Sequence, residues 1–318
     1  MKYQAHELYE FTLKVKEEFD WKIIMKLKEE CGMELEADEL IECTLGLATV
    51  HDAHGIVELY KAGFKKQAED LHTYTFDKGT WYDWAGIIEM NEIGMRDQAI
   101  ETHEFTVGRA QDYDVDGIIA MAAAGLEDQA VEFHLDTESF VKVYDSMSII
   151  KLHMAGMDSL EDLAESLHNS TLRYAKKFAG HDITDLYDAG MTTQAVQLFE
   201  QTLPHAEKNE ISAMLALLDG GMENAADEYF KTTVPMMTDY DLTDISALVD
   251  KGYKVYASKL HSALSKFVEP NFRDLYAINS PTVIVRELLS HGLHEEADEQ
   301  METFDAAYAT YRINTGRS

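Results

Sequence analysis

Four tyrosine–aspartate dyads recur in one register along the chain: Tyr82-Asp83, Tyr113-Asp114, Tyr144-Asp145 and Tyr240-Asp241. Ranged along one edge, their phenols and carboxylates would suit the basic side chains of an extended peptide. An aspartate just ahead of a helix also caps it, by accepting from backbone N–H groups that have no intrahelical partner. On that reading the tyrosine packs against the preceding helix. The two roles are compatible, since a cap can stay exposed. Histidines are a second candidate. His51 and His54 would place two imidazoles on one helix face, and His291 and His294 repeat the spacing. A metal site needs three or four ligands and no further partner is specified, so neither metal nor cofactor is expected. A third candidate is basic: Lys251, Lys254, Lys259 and Lys266 stand in a stretch, 251–268, that holds no Asp or Glu. It is either a seat for an anion or acidic partner, or compensation for acidic neighbours. No GxSxG, phosphate-loop or HExxH pattern occurs, and no enzymatic activity is expected.

What must position these residues is a repeat. Glycines at 32, 63, 94, 125 and 156 are each 31 residues apart, and further turn glycines stand at 190, 221, 252 and 292. Each dyad has its tyrosine twelve and its aspartate eleven residues before such a glycine. Two β-branched residues precede the glycine by seven and six (Ile87-Ile88, Ile118-Ile119, Ile149-Ile150), and Leu or Met precedes it by four (Leu59, Met90, Met121, Leu152). That spacing puts one apolar stripe on a helix of about three turns. Glycine then stops the helix in the left-handed conformation. An apolar residue follows it, and an alanine stands five positions on (Ala68, Ala99, Ala130, Ala195, Ala226, Ala257). A methyl group there lets a second helix approach the first closely. Gly156 to Gly190 is 34, and Ala164 lies eight after its glycine, so one insertion near Asp158-Ser159-Leu160 explains both departures. The expected architecture is an all-α solenoid of nine antiparallel helix pairs forming one domain over 1–318. Residues 1–19 are read as a capping helix, with Leu8, Phe11, Val15 and Phe19 on one face, and 312–318 as a tail. Lys28, in place of the usual apolar residue, marks the first repeat as degenerate.

Composition narrows the partner. Twenty-seven basic against fifty-nine acidic residues leave a net charge of −32. Such a surface repels nucleic acid and anionic membranes and favours basic protein partners. No stretch is long and apolar enough to cross a bilayer, and the N-terminus has no signal-peptide run. Cys31 and Cys43 form no CxxC motif. A reducing, cytoplasmic setting is expected.

A turn glycine followed five residues later by alanine, between paired helices, resembles the tetratricopeptide and pentatricopeptide helical-repeat families. Ile or Val seven before the glycine, alanine one before it (Ala62, Ala124, Ala155, Ala189) and Leu198-Phe199 or Tyr229-Phe230 after the second alanine look more like the pentatricopeptide pattern. The resemblance spans nearly the whole chain, with a shorter period. It implies an extended concave binding surface. In pentatricopeptide proteins, polar residues ten before the glycine read single-stranded RNA. Here Lys22, Ala53, Trp84, Val115, Ser146, Gly180, Ile211, Leu242 and Thr282 fill those positions, and most cannot bond a base edge. The expected function is therefore a protein–protein scaffold with an acidic binding surface. RNA binding of the pentatricopeptide kind and a polyanion-mimicking inhibitor are the alternatives.

Overall fold

All nine turn glycines adopt positive φ, from +65° at Gly32 to +94° at Gly63, and no other residue type does among the described residues. The computed structural model describes residues 7, 9–11, 13, 18–207, 210–268 and 280–315. In the Gly94 repeat the N–H of Gly94 bonds the Asn91 carbonyl and that of Met95 reaches back to Met90, which satisfies the carbonyls at the helix end. Asp83 caps the first helix, Trp84–Glu92, and the second runs Arg96–Thr106. Ala99 is wholly buried between them, as are Ala68, Ala130, Ala195, Ala226 and Ala257 in their repeats. Of the β-branched doublets, Ile87, Ile118 and Ile149 are fully buried, whereas Ile88, Ile119 and Ile150 are only half-buried.

The chain groups into two compact units, 1–171 and 172–318. Each is all-α and solenoid-like, built from packed helix pairs, and no strand occurs among the described residues. The first unit holds five described pairs, from Trp21–Glu29 with Glu34–Thr44 to Ser146–Met154 with Asp158–Thr171. The second holds four, from Gly180–Asp188 with Thr192–Thr202 to Pro281–Ser290 with His294–Thr315.

Each repeat but the last also has a third element, a three-residue 3₁₀ turn directly after the second helix, such as Phe76–Lys78, Val107–Arg109 and Glu138–Phe140. A buried threonine sits at the junction in most repeats. Thr75, Thr106 and Thr137 donate to the carbonyl four residues back at 2.7, 2.6 and 2.6 Å. That bond competes with the helical ladder and helps to end the helix.

Several expectations are refined. The three-residue insertion does not lengthen a turn: the second helix of the Gly156 repeat simply has 14 residues where its counterparts have 11. The first repeat is offset, not degenerate. One extra residue lies in its turn, so the N–H of Met33 reaches Leu27, and Leu27 fills the core position that Leu59 fills in the next repeat. Lys28 is thereby free to lie over the Phe64 ring at 4.1 Å and pair with Glu34. The last helix continues to Thr315, through most of the expected tail; 316–318 lie outside the described residues. Ser280 caps the helix that opens with Pro281. Leu8 and Val15 of the expected capping helix also lie outside the described residues. No described helix is long and apolar enough to cross a membrane.

Candidate functional site

The aspartates cap. Asp52, Asp83 and Asp114 each accept through Oδ1 from the N–H of the glycine three residues on, Gly55, Gly86 and Gly117, at 3.0, 3.1 and 3.0 Å. Asp145 takes the N–H groups of Met147 and Ser148, and Asp241 that of Thr243. Two caps have a second task. Trp21 Nε1 donates to Asp52 Oδ2 at 2.9 Å, and Trp84 Nε1 to Asp114 Oδ2 at 3.0 Å, so an indole of one repeat is pinned to the cap of the next. This close approach explains two of the three capped glycines, which stand 31 residues apart in sequence; at the third, Gly86, a Cβ would meet Ala53 Cβ and Asp83 Oδ2, each at 2.6 Å. A Cβ on Gly55 would sit 2.5 Å from the Trp21 ring, and one on Gly117 would sit 2.8 Å from Trp84 Nε1.

The tyrosines turn the other way from the expected packing. The hydroxyl of each meets the second helix of its own repeat, and the Tyr82 ring also packs on Phe133 of the next repeat, with ring centroids 4.5 Å apart. Tyr82 Oη bonds His103 Nδ1 at 3.0 Å, Tyr113 bonds His134 at 2.9 Å, Tyr144 bonds His168 at 2.8 Å and Tyr240 bonds His261 at 2.9 Å. The four histidines are fully buried. The far nitrogen of His103 reaches Glu132 of the next repeat at 3.2 Å, and that of His72 reaches Glu101 at 3.0 Å. A Glu132 carboxylate at Nε2 requires the proton there, so Nδ1 of His103 accepts from the Tyr82 phenol. Burial holds His103, His134 and His261 below the usual histidine range and raises the Tyr82, Tyr113 and Tyr240 phenols. Two repeats vary the pair. His51 replaces the tyrosine opposite His72, with ring centroids 5.3 Å apart. In the second unit Phe178 and Phe199 replace both members, 5.9 Å apart and edge-on.

With the hydroxyls facing inward, the outer edge is left to the connectors between each 3₁₀ turn and the next capping aspartate. In the first unit these connectors line three consecutive grooves. One of about 480 Å³ lies between the connectors carrying His51 and Trp81. One of about 270 Å³ lies between Trp81 and Asp112, walled by Tyr82 and Trp84. The third, about 320 Å³, runs from Asp112 and Tyr113 to Phe140, Val143 and Asp145. Val50, Trp81, Phe140 and Val143 are exposed there, Trp81 by 57%. The residue thirteen before the glycine supplies Val50, Trp81 and Val143, and its one mark in the sequence is a tryptophan placed in a connector.

Two of the four lysines pair with carboxylates of their own unit. Lys251 meets Asp219 at 2.9 Å, and Lys259 lies 4.0 Å from Asp227 and over the Tyr256 ring. Lys266 covers Phe267, and Lys254 lies exposed beside Gly292. The histidine pairs diverge. His51 is buried and bonds Thr75, while His54 is exposed and approaches Glu89 at 3.4 Å. His291 bonds the Glu287 carbonyl and nears Asp250. No group of three metal-ligating side chains occurs among the described residues. No family model matches the chain, and no curated protein matches it either.

Proposed function

We propose that the chain is a non-enzymatic binding scaffold whose first unit holds an extended, basic segment of a protein partner along the three connector grooves. The observation that carries this reading is the alternation of exposed apolar side chains (Val50, Trp81, Phe140, Val143) with carboxylates (Asp52, Asp83, Asp112, Asp145) in consecutive repeats. Helices pack with axes about 8–10 Å apart, so grooves that recur once per repeat lie within reach of one extended peptide. A net charge of −32 draws basic segments toward this edge and repels RNA. The reading also fits a helical repeat of the pentatricopeptide-like kind acting in a reducing, cytoplasmic setting, with Cys31 and Cys43 as free thiols.

Reversing the capping aspartates would unfold helix ends, so the test uses exposed positions. Binding of a peptide array rich in Lys and Arg is compared for wild type, Asp112→Lys and Val143→Ser. Both variants should stay folded and lose binding. Retention by both would overturn the reading. Complete collapse of wild-type binding in modest salt, with tolerance of Val143→Ser, would favour a polyanion mimic over a shaped groove.

A further inference from the structure

The largest of the three grooves is not equivalent to the others. Its floor carries His51 where the other connectors of the first unit carry Tyr82, Tyr113 and Tyr144. An imidazole is shorter than a phenol and leaves more space in the wall. His51 spends its nitrogens on Thr75 at 3.0 Å and Thr102 at 3.4 Å, and the Nδ1 of His72 behind it has no partner. The groove is lined by three aromatic side chains, Phe19, Trp21 and Trp81, and three carboxylates, Glu18, Asp52 and Asp83. Trp21 is anchored, because its indole N–H is fixed to Asp52. Trp81 presents more than half its surface to solvent.

These linings select one kind of occupant. An apolar side chain would strip water from three carboxylates and give nothing back. An anion would be repelled by the same carboxylates. An ammonium would meet the charges but keeps a tight hydration shell and has no flat face. A guanidinium is planar, weakly hydrated, stacks on an indole and forks between carboxylate oxygens. We propose that this groove is a binding pocket for an arginine side chain of the partner, stacked on Trp81 and paired with Glu18 and the free lone pairs of Asp52 and Asp83. The assignment rests on the partner-binding reading above and fixes where an extended segment is anchored.

The chain has three tryptophans, at 21, 81 and 84, so three indole N–H resonances report on it directly. Nitrogen-15-labelled protein is titrated with a blocked Gly-Ser-Arg-Ser-Gly peptide and with versions carrying lysine or citrulline in place of arginine. Concentrations run to about 10 mM, since one small contact binds weakly. The arginine peptide should move the Trp81 and Trp21 resonances saturably and Trp84 less. Lysine should bind more weakly, and the neutral citrulline should produce no saturable shift. Trp81→Ala, at an exposed position, should weaken binding about three- to thirtyfold, and Glu18→Gln should weaken it without altering the fold. Equal response to citrulline, or an unmoved Trp81 and Trp21, would overturn the proposal. A longer alternating arginine–serine peptide separates the two readings. If it shifts amides in 110–114 and 141–145 while Trp81 and Trp21 stay still, the scaffold stands and the arginine pocket falls. If no resonance responds to either peptide, both fall.

Discussion

The Tyr113–His134 bond invites a double-mutant cycle, because the molecule already contains the product. Phe178 and Phe199 occupy the same two places in another repeat, with rings 5.9 Å apart at 79°, against 5.5 Å and 76° for Tyr113 and His134. Ring packing is thus conserved when both polar groups are lost. Tyr113→Phe alone removes the partner of His134 Nδ1. That imidazole is wholly buried, and its Nε2 already has no hydrogen-bond partner, since the nearest carboxylate, Glu138, is 3.8 Å away. An abandoned buried polar group costs about 1–3 kcal/mol. His134→Phe alone strands only a phenol that borders a groove and can meet water, so it should cost less, about 1 kcal/mol. The double variant removes donor and acceptor together and should lie within about 1 kcal/mol of wild type. The assay is urea unfolding followed by far-ultraviolet circular dichroism, with hydrogen exchange of the Glu127–Thr137 helix as a local readout. The coupling should make the double variant more stable than the Tyr113→Phe single variant. A double variant as unstable as the sum of the singles would refute the reasoning, and the hydroxyl–imidazole bond would then be incidental to packing.

Two further outcomes follow from the same framework. Burial pushes His51 from 6.5 down to about 4, with His72 adding to the effect and Asp52 opposing it. His72, His103, His134 and His261 are lowered too, against opposition from Glu101, Glu132, Glu138 and Glu296. Between those limits the unfolded chain binds protons that the native one refuses, so stability is full above pH 6.5 and falls as pH drops toward 4. His51 alone contributes about 3 kcal/mol to that loss. Melting temperature against pH at constant ionic strength checks it, and a flat profile from pH 7 to about 5, before most carboxylates titrate, would contradict it. Gly125→Val forces a β-branched residue into φ +78°. There is open space for the side chain, with only Arg96 Nη1 within 4 Å of its Cβ, so the cost is backbone strain of about 1–2 kcal/mol. Thermal unfolding measures it, and an unchanged melting temperature would remove the left-handed turn as the reason for the glycine.

The regular period made the helix pairs legible because the turn glycine and the alanine five residues later answer to backbone physics that every repeat shares. The 3₁₀ turns were not legible. Phe76-Asp77-Lys78, Val107-Gly108-Arg109 and Glu138-Ser139-Phe140 share no pattern, because three residues that follow a helix end need only local bonds. The aspartate caps could be read from position alone. The tyrosine partners could not, since a phenol ahead of a helix can turn to either neighbour. Yet a signal existed: His103, His134 and His261 stand 21 residues after Tyr82, Tyr113 and Tyr240, and His168 stands 24 after Tyr144, where the insertion intervenes. The groove that carries the candidate site was least legible. It depends on an indole left outside, and exposure is a property of packing that a periodic pattern does not encode.

The placement of the tyrosine–histidine bond also bears on how such a chain can change length. Both partners lie within one 31-residue span, whereas the Trp84–Asp114 and His103–Glu132 bonds join one span to the next. Excising or duplicating a whole span ahead of a tyrosine therefore takes the phenol and its imidazole together, while a carboxylate for the far nitrogen is met only where the next span carries one, as at Glu101 and Glu132. The gene can grow or shrink in whole modules without stranding a buried imidazole. A cut in any other phase, between tyrosine and histidine, would separate them.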